Sequence, residues 1–192
     1  IFGENGTGKE HIAHHLHDKS KRAGKPFVAV DCGSLTKELA PSAFFGHVKG
    51  AFTGADSTKK GYFYEAEGGT LFLDEVGNLA LETQQMLLRA IQERRYRPIG
   101  DKSDRSFNVR IIAATNEDLE AAVSEKRFRQ DLFYRLHDFG ITVPPLRDCQ
   151  EDILPLAEFF REIANKELEC NVSGFSSEAR KALLTHAWPG NV

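Results

Sequence analysis

A loop with glycine at positions 3, 6 and 8, opening directly into a helical pattern, constrains this chain more than any other feature. The stretch is Gly3-Glu4-Asn5-Gly6-Thr7-Gly8-Lys9-Glu10. It has the GxxxxGK spacing, follows the apolar Ile1-Phe2, and precedes a run with Ile12, Ala13 and Leu16 on one helical face. Glycine reaches backbone angles that let successive N–H groups converge on one point. The N-terminus of the helix adds partial positive charge there, which suits phosphate oxygens. Gly3 to Glu10 therefore form a candidate nucleotide loop, with Lys9 placed to reach the β- and γ-phosphates. Glu10 departs from the full pattern, since Ser or Thr commonly supplies Mg²⁺ with a hydroxyl at that place.

The rest of the chain agrees with an α/β sheet. Pro26 to Cys32 and Val109 to Ala114 read as strands, Leu71 to Leu73 as the start of another, and Ile141 to Val143 as a last short one. Lys9 to Ala23 and Leu81 to Gln92 read as helices, the second with Met86, Leu87 and Ile91 inward. Strands that are apolar throughout and separated by helices imply a parallel sheet covered on both faces. Pro144-Pro145 can neither donate to a ladder nor continue a helix, so it marks a boundary. Beyond it, Glu151 to Leu168 is amphipathic, with Ile153, Leu156, Phe160 and Ile163 on one face. Ser177 to His186 follows serine caps. The expected organisation is a three-layer α/β body over residues 1–143 and the start of a helical lid over 144–192. Both ends read as cut from something longer.

In a parallel sheet, ligands gather at the carboxyl ends of the strands. Gly69-Thr70-Leu71-Phe72-Leu73-Asp74-Glu75 is an apolar strand ending in two acids. Asp74 is the candidate to hold Mg²⁺, directly or through water, and Glu75 the candidate to polarise an attacking water. Val109 to Thr115 ends beside Asn116, which either orients the water or senses the γ-phosphate, or helps cap the helix that follows. Together these elements call for a nucleoside triphosphate and Mg²⁺.

Composition narrows the classes further. Over 192 residues, 41% hydrophobic and 28% charged side chains describe a globular protein with a core. A net charge of −3 speaks against a domain that grips nucleic acid through phosphates alone. Cys32, Cys149 and Cys170 have no metal spacing and read as reduced thiols in a cytoplasmic protein. No run reaches the length of a membrane span. His11, His14, His15 and His17 crowd one helix without an accompanying carboxylate motif. Lys19, Lys21, Arg22 and Lys25 read as a solvated turn. Arg89, Arg94, Arg95 and Arg97 fit either a subunit interface or a solvated face.

These residues in this order resemble AAA+ ATPases. The match narrows at Gly50-Ala51-Phe52-Thr53-Gly54-Ala55, which is similar to the signature loop of the sigma-54-dependent transcription activators, or bacterial enhancer-binding proteins. FFGHVKGAFTGA, GGTLFLDEVGNL, VRIIAATN, FRQDLFYRL, VPPLR and WPGNV agree with it, so the resemblance covers essentially the whole chain. It implies an ATP-hydrolysing motor that remodels the closed sigma-54 RNA polymerase complex. Gly50 to Ala55 would contact sigma-54, with Phe52 and Thr53 at the tip. Arg129 and Arg135 match paired arginines that reach a neighbour's nucleotide, implying a hexameric ring; surface ion pairs with Glu125 or Asp131 are their alternative use. An N-terminal regulatory domain, as in response regulators, and a DNA-binding C-terminal domain are implied outside this chain.

Three positions depart from the family pattern. Asp31 replaces an Asn thought to link Glu75 to nucleotide state. Val48 stands where Glu is frequent, and the lid arginine that senses nucleotide lies beyond Val192. Two other readings stay open: a nucleotide-binding scaffold that does not hydrolyse, and another AAA+ remodeller such as a helicase loader.

Overall fold

A computed structural model describes residues 1–192. The chain forms two compact units. One comprises Ile1–Phe2 and Lys9–Thr142, and the other Gly3–Gly8 and Val143–Val192.

The first unit contains, in chain order, α1 (Lys9–Asp18), β1 (Phe27–Asp31), α2 (Ala40–Phe45), α3 (Tyr62–Glu65), β2 (Thr70–Asp74), α4 (Leu81–Glu93), β3 (Arg95–Tyr96), β4 (Arg105–Ser106), β5 (Arg110–Ala113), α5 (Leu119–Ser124) and α6 (Gln130–Leu136). Its main sheet is parallel, in the order β1-β2-β5. Phe2 continues it beyond β5, bridging Thr115 on one side and Thr142 on the other, both parallel. The strand order thus reverses at Phe2, the position at which ligand crevices form in such sheets. β3 and β4 make a separate antiparallel pair.

β2 is the central strand, and its sequence explains why. Thr70, Leu71, Phe72 and Leu73 are all buried, because helices cover both faces and leave no solvent side for polar alternation. Successive side chains still point to opposite faces. Leu71 and Leu73 join the larger core with Phe44, Phe63, Leu87 and Leu132, while Phe72 joins Ala13, Ile112 and Ala114 on the other face. Stacking of Phe45 on Phe63 (5.4 Å) and the tilted Phe63–Phe107 pair (4.7 Å) fill the larger core with aromatic area.

The strand before β2 tolerates no side chain at Gly69. A Cβ there would lie 1.9 Å from the Pro26 carbonyl oxygen, which already accepts the Thr70 N–H at 2.8 Å. Gly69→Ala must therefore push β2 from β1. We expect it to destabilise the chain by about 3 kcal/mol or more, read as a lower urea midpoint at unchanged slope. An unchanged midpoint would mean the sheet edge accommodates the methyl group.

Two expectations need correction here. α1 stops at Asp18 rather than running to Ala23. The Ser20 hydroxyl donates to the His17 carbonyl (2.7 Å), offering the backbone a turn in place of another helical bond. Arg22 then folds back to donate to the carbonyls of Gly69 and Asn108. α1 also buries His17 beside Ala13, while Ile12 and Leu16 stay partly exposed. The His17 ring nitrogen lies 2.9 Å from the Thr70 hydroxyl, so this histidine is a satisfied core residue, and His14 stacks on Phe27 at 3.9 Å. α4 extends over its expected span, with Leu87 and Ile91 buried and Met86 only partly covered. Its Gln84 is fully buried because its amide donates to the Leu79 and Arg127 carbonyls and accepts the Arg129 N–H.

The second unit holds the glycine loop, α7 (Gln150–Glu167) and α8 (Ser177–Thr185). Ser176 caps α8 by accepting the Ala179 N–H. Ile153 is buried on α7, but Phe160 is exposed, against the expected inward face. Within this unit α7 packs against α8. No helix is long and apolar enough to cross a membrane.

Candidate functional site

The glycine loop is built as its sequence requires. Gly6 and Gly8 have φ of +76° and +81°, the left-handed region that glycine enters without steric cost. Thr7 closes a turn by donating its hydroxyl to the Glu4 carbonyl at 2.8 Å. Around the loop, the second unit supplies a clamp. The Arg147 guanidinium donates to both Glu4 carboxylate oxygens, at 2.8 and 2.6 Å. That pairing pulls the Glu4 carboxyl down to about 2. Asn191 is buried; its amide donates to the Asn5 carbonyl (2.8 Å), its side-chain oxygen accepts the Leu146 N–H (2.7 Å), and Val192 N–H donates to the Gly6 carbonyl (3.1 Å). A Cβ on Gly6 would fall 2.1 Å from the Gly190 carbonyl. The side chain of Glu4 is therefore engaged with Arg147. Arg147 and Asn191 lie in the family-like segments VPPLR and WPGNV, but their contacts with Glu4 and Asn5 join residues 143 and 186 positions apart, so no local spacing gave them this role.

In the first unit, Lys9 opens α1 and is buried. Glu10 is exposed, with its carboxylate 3.9 Å from His14. Asp74 ends β2 opposite Asp31 at the end of β1. Asp74 accepts the Glu75 N–H on its carboxylate (3.0 Å). Glu75 itself sits at φ 51°, ψ 44°. A left-handed residue other than glycine costs roughly 1–3 kcal/mol and persists only where neighbours fix it. Here Val76 N–H donates to the Ala114 carbonyl and Asn78 N–H to the Glu75 carbonyl. The Glu75 carboxylate accepts from the Asn78 amide at 2.8 Å.

Asp31 does not hold Glu75. Its carboxylate is turned onto the following 3₁₀ turn, accepting Gly33 N–H (2.8 Å) and Ser34 N–H (3.3 Å). Cys32 beside it is buried, and burial first, then the charges of Asp31, Asp74 and Glu75, push its thiol up to about 12. The Thr115 hydroxyl accepts the Glu117 N–H, and Asn116 is exposed next to it. The cap of α5 is Asp118, which accepts from Glu120 and Ala121, so the Thr-Asn pair does not serve as that cap. A carboxylate at a strand end is the donor type that Mg²⁺ selects, so Asp74 fits that ion.

The Gly50–Ala55 loop folds on its own hydrogen bonds. Gly50 N–H donates to the Ala55 carbonyl (2.8 Å), Ala51 N–H to Val48, and Ala55 N–H to Phe52. Gly50 and Gly54 have φ of +81° and +94°, and nothing lies near a Cβ at either. Ala55 is buried, whereas Phe52 is 45% exposed and Thr53 is exposed. The Phe52 ring meets His47 edge-on at 5.0 Å, and His47 is fixed by Ser42 at 2.7 Å. Val48, partly buried, donates its N–H to Ile99 and has no side-chain polar group with which to latch the loop.

The two arginines differ. Arg129 makes a two-pronged contact with Asp131, at 3.0 and 2.7 Å. Glu125 pairs instead with Arg127. Arg135 is exposed in the last turn of α6, forms no ion pair, and lines a cavity of about 710 Å³ with Asp138, Phe139 and Arg94.

Comparison with known proteins agrees with this geometry. The family described as "Sigma-54 interaction domain" matches residues 1–142, and the "AAA+ ATPase lid domain" matches residues 147–192. The chain is 50% identical over all 192 residues to the transcriptional regulatory protein ZraR of Klebsiella oxytoca, and equally to the alginate biosynthesis regulator AlgB of Pseudomonas putida. It spans 43% of the length of each. The sigma54-dependent transcriptional activator SfnR of Pseudomonas putida is 47% identical over the whole chain, which covers 52% of that protein. Among solved structures, NtrX of Brucella abortus in complex with ADP superposes with a TM-score of 0.91 at 36% identity, over 100% of this chain and 42% of that one. The same protein in complex with ATP gives the same values apart from 41% coverage. The chain therefore belongs to the sigma-54 interaction domain family, an AAA+ P-loop fold that continues into a helical lid.

Proposed function

We propose that this chain is an ATP-hydrolysing motor that remodels the sigma-54 RNA polymerase closed complex. The observation that carries the reading is the pairing, within one unit, of two acids at the end of the buried central strand with an exposed Phe-Thr loop tip. A half-exposed Phe on a glycine-flanked loop is the kind of surface that a protein partner covers. In this reading the Gly3–Gly8 backbone and Lys9 hold the phosphates, and Asp74 holds Mg²⁺, which neutralises developing phosphate charge when bound. Glu75 accepts the proton of the attacking water and Asn116 senses the γ-phosphate. Arg135, with Arg129, acts on the nucleotide of the next subunit in a ring, and Gly50 to Ala55 pushes on sigma-54. ATP bound to NtrX supports the nucleotide; the names of the curated relatives support transcriptional activation. DNA contact is assigned to a further domain of the full-length protein, and the motor works in the cytoplasm.

Thr53→Ala in the full-length protein tests the division of labour. Phosphate release without polymerase should stay within about twofold, while formation of open promoter complexes falls roughly tenfold or more, as for loss of an interface hot spot. Loss of both activities together would show that the loop is part of the hydrolytic site.

A further inference from the structure

We infer that Asn78 is a positioning residue that holds Glu75 in a resting place over Gly33, so that in this chain the hold on Glu75 comes from position 78 and not from position 31. The inference rests on the reading of Glu75 as the carboxylate that activates water.

Local backbone geometry creates the contact. Glu75 precedes a 3₁₀ turn over Val76–Asn78, closed by the Asn78 N–H donated to the Glu75 carbonyl at 3.0 Å. Closing that turn brings residue 78 back beside residue 75, and the Asn78 amide donates to the Glu75 carboxylate at 2.8 Å.

Gly33 supplies the space beneath. A Cβ on Gly33 would lie 2.6 Å from a Glu75 carboxylate oxygen, 3.1 Å from the Asn78 amide nitrogen and 3.2 Å from an Asp31 carboxylate oxygen. Three polar side chains thus close around one point that only glycine leaves open. Two of them are carboxylates, which can only accept, and like charges at this separation repel. The Asn78 amide is the donor that makes the arrangement tolerable. Asp31 cannot supply that hold, because it has no donor and is already occupied by the Gly33 and Ser34 N–H groups. Bound there, the Glu75 oxygens spend a lone pair on an amide that a water would otherwise use. Releasing Glu75 costs about one hydrogen bond, or roughly 2- to 10-fold in the released population.

The test uses the full-length protein without polymerase, measuring steady-state phosphate release and binding of a fluorescent ATP analogue. Asn78→Ala removes the donor from an exposed position, and Gly33→Ala evicts the carboxylate with a methyl group. Each should raise kcat about 2- to 10-fold, with KM and analogue affinity within twofold. Asn78→Asp should behave likewise. Adding Asp31→Asn to it places a new amide on the other side of the same point, and should return kcat to the parental value. A merely structural role for Asn78 would move stability and KM and would not be rescued from position 31. Unchanged or lower kcat in Asn78→Ala, or failure of the double variant to restore it, overturns the inference. Glu75→Gln separates the two levels. If it is inactive while the Asn78 variants match the parent, the hold is wrong and the motor reading stands. If it hydrolyses ATP like the parent, the assignment of Glu75 falls and the hold falls with it.

Discussion

Arg135→Ala should lower ATP turnover by about 10³-fold or more at every protein concentration, the effect of removing an arginine given in trans. Of the two arginines proposed to act on the neighbour's nucleotide, Arg135 is given the larger effect because of its surroundings. Arg129 already spends its guanidinium on Asp131, while Arg135 is exposed at the end of α6 without an acidic partner. A side chain that has no partner within its own chain keeps its charge and its five donors available for a neighbour. In the proposed ring each site is completed by a neighbour, so parental turnover should rise faster than linearly with concentration. Mixing inactive Arg135→Ala chains with inactive Glu75→Gln chains should restore part of the activity, because some interfaces then combine an intact arginine with an intact carboxylate. If mixing restores nothing, the arginine acts within its own subunit. If Arg129→Ala is inactive and Arg135→Ala is not, the two roles are exchanged.

Glu75→Gln should reduce turnover by about 10²- to 10⁴-fold while ATP still binds. The substitution preserves shape and removes only the capacity to take a proton. The left-handed backbone at this position is fixed by Val76 and Asn78 main-chain bonds, which the amide leaves in place. Binding of a fluorescent ATP analogue should therefore remain within a few-fold of the parent, and single-turnover phosphate release should collapse. Equal loss of binding and turnover would mean that Glu75 supports the fold of the strand end instead of the chemistry.

Much of this could be read along the chain, for identifiable reasons. The run from Thr70 to Leu73 is apolar because helices cover both faces of the central strand, and together with the other apolar strands separated by helices it made a buried parallel sheet legible. The loop glycines were legible because positive φ at Gly6 and Gly8 is a local requirement that few other residues meet. The GAFTGA segment was legible through its resemblance to a family signature, and the hydrogen bonds among its own residues and Val48 show a loop that closes on itself.

What the sequence did not reveal depends on partners brought from afar. The end of α1 was set by Ser20 together with Arg22, whose carbonyl partners lie at Gly69 and Asn108. His17 became a core residue because β2 offers it the Thr70 hydroxyl, 53 positions away. Phe160 follows the helical period yet stays exposed, since periodicity selects a face and only packing decides how much of it is covered. The clamp of Arg147 on Glu4 spans 143 positions, so VPPLR resembled the family without showing what its arginine holds. At the strand ends, sequence spacing marked Asp74 and Glu75 as functional through their place after an apolar strand. The alignment of Asp31 with Asp74, and of Glu75, Asn78 and Gly33 around one point, was decided by the register of β1 on β2, which is a property of the assembled sheet.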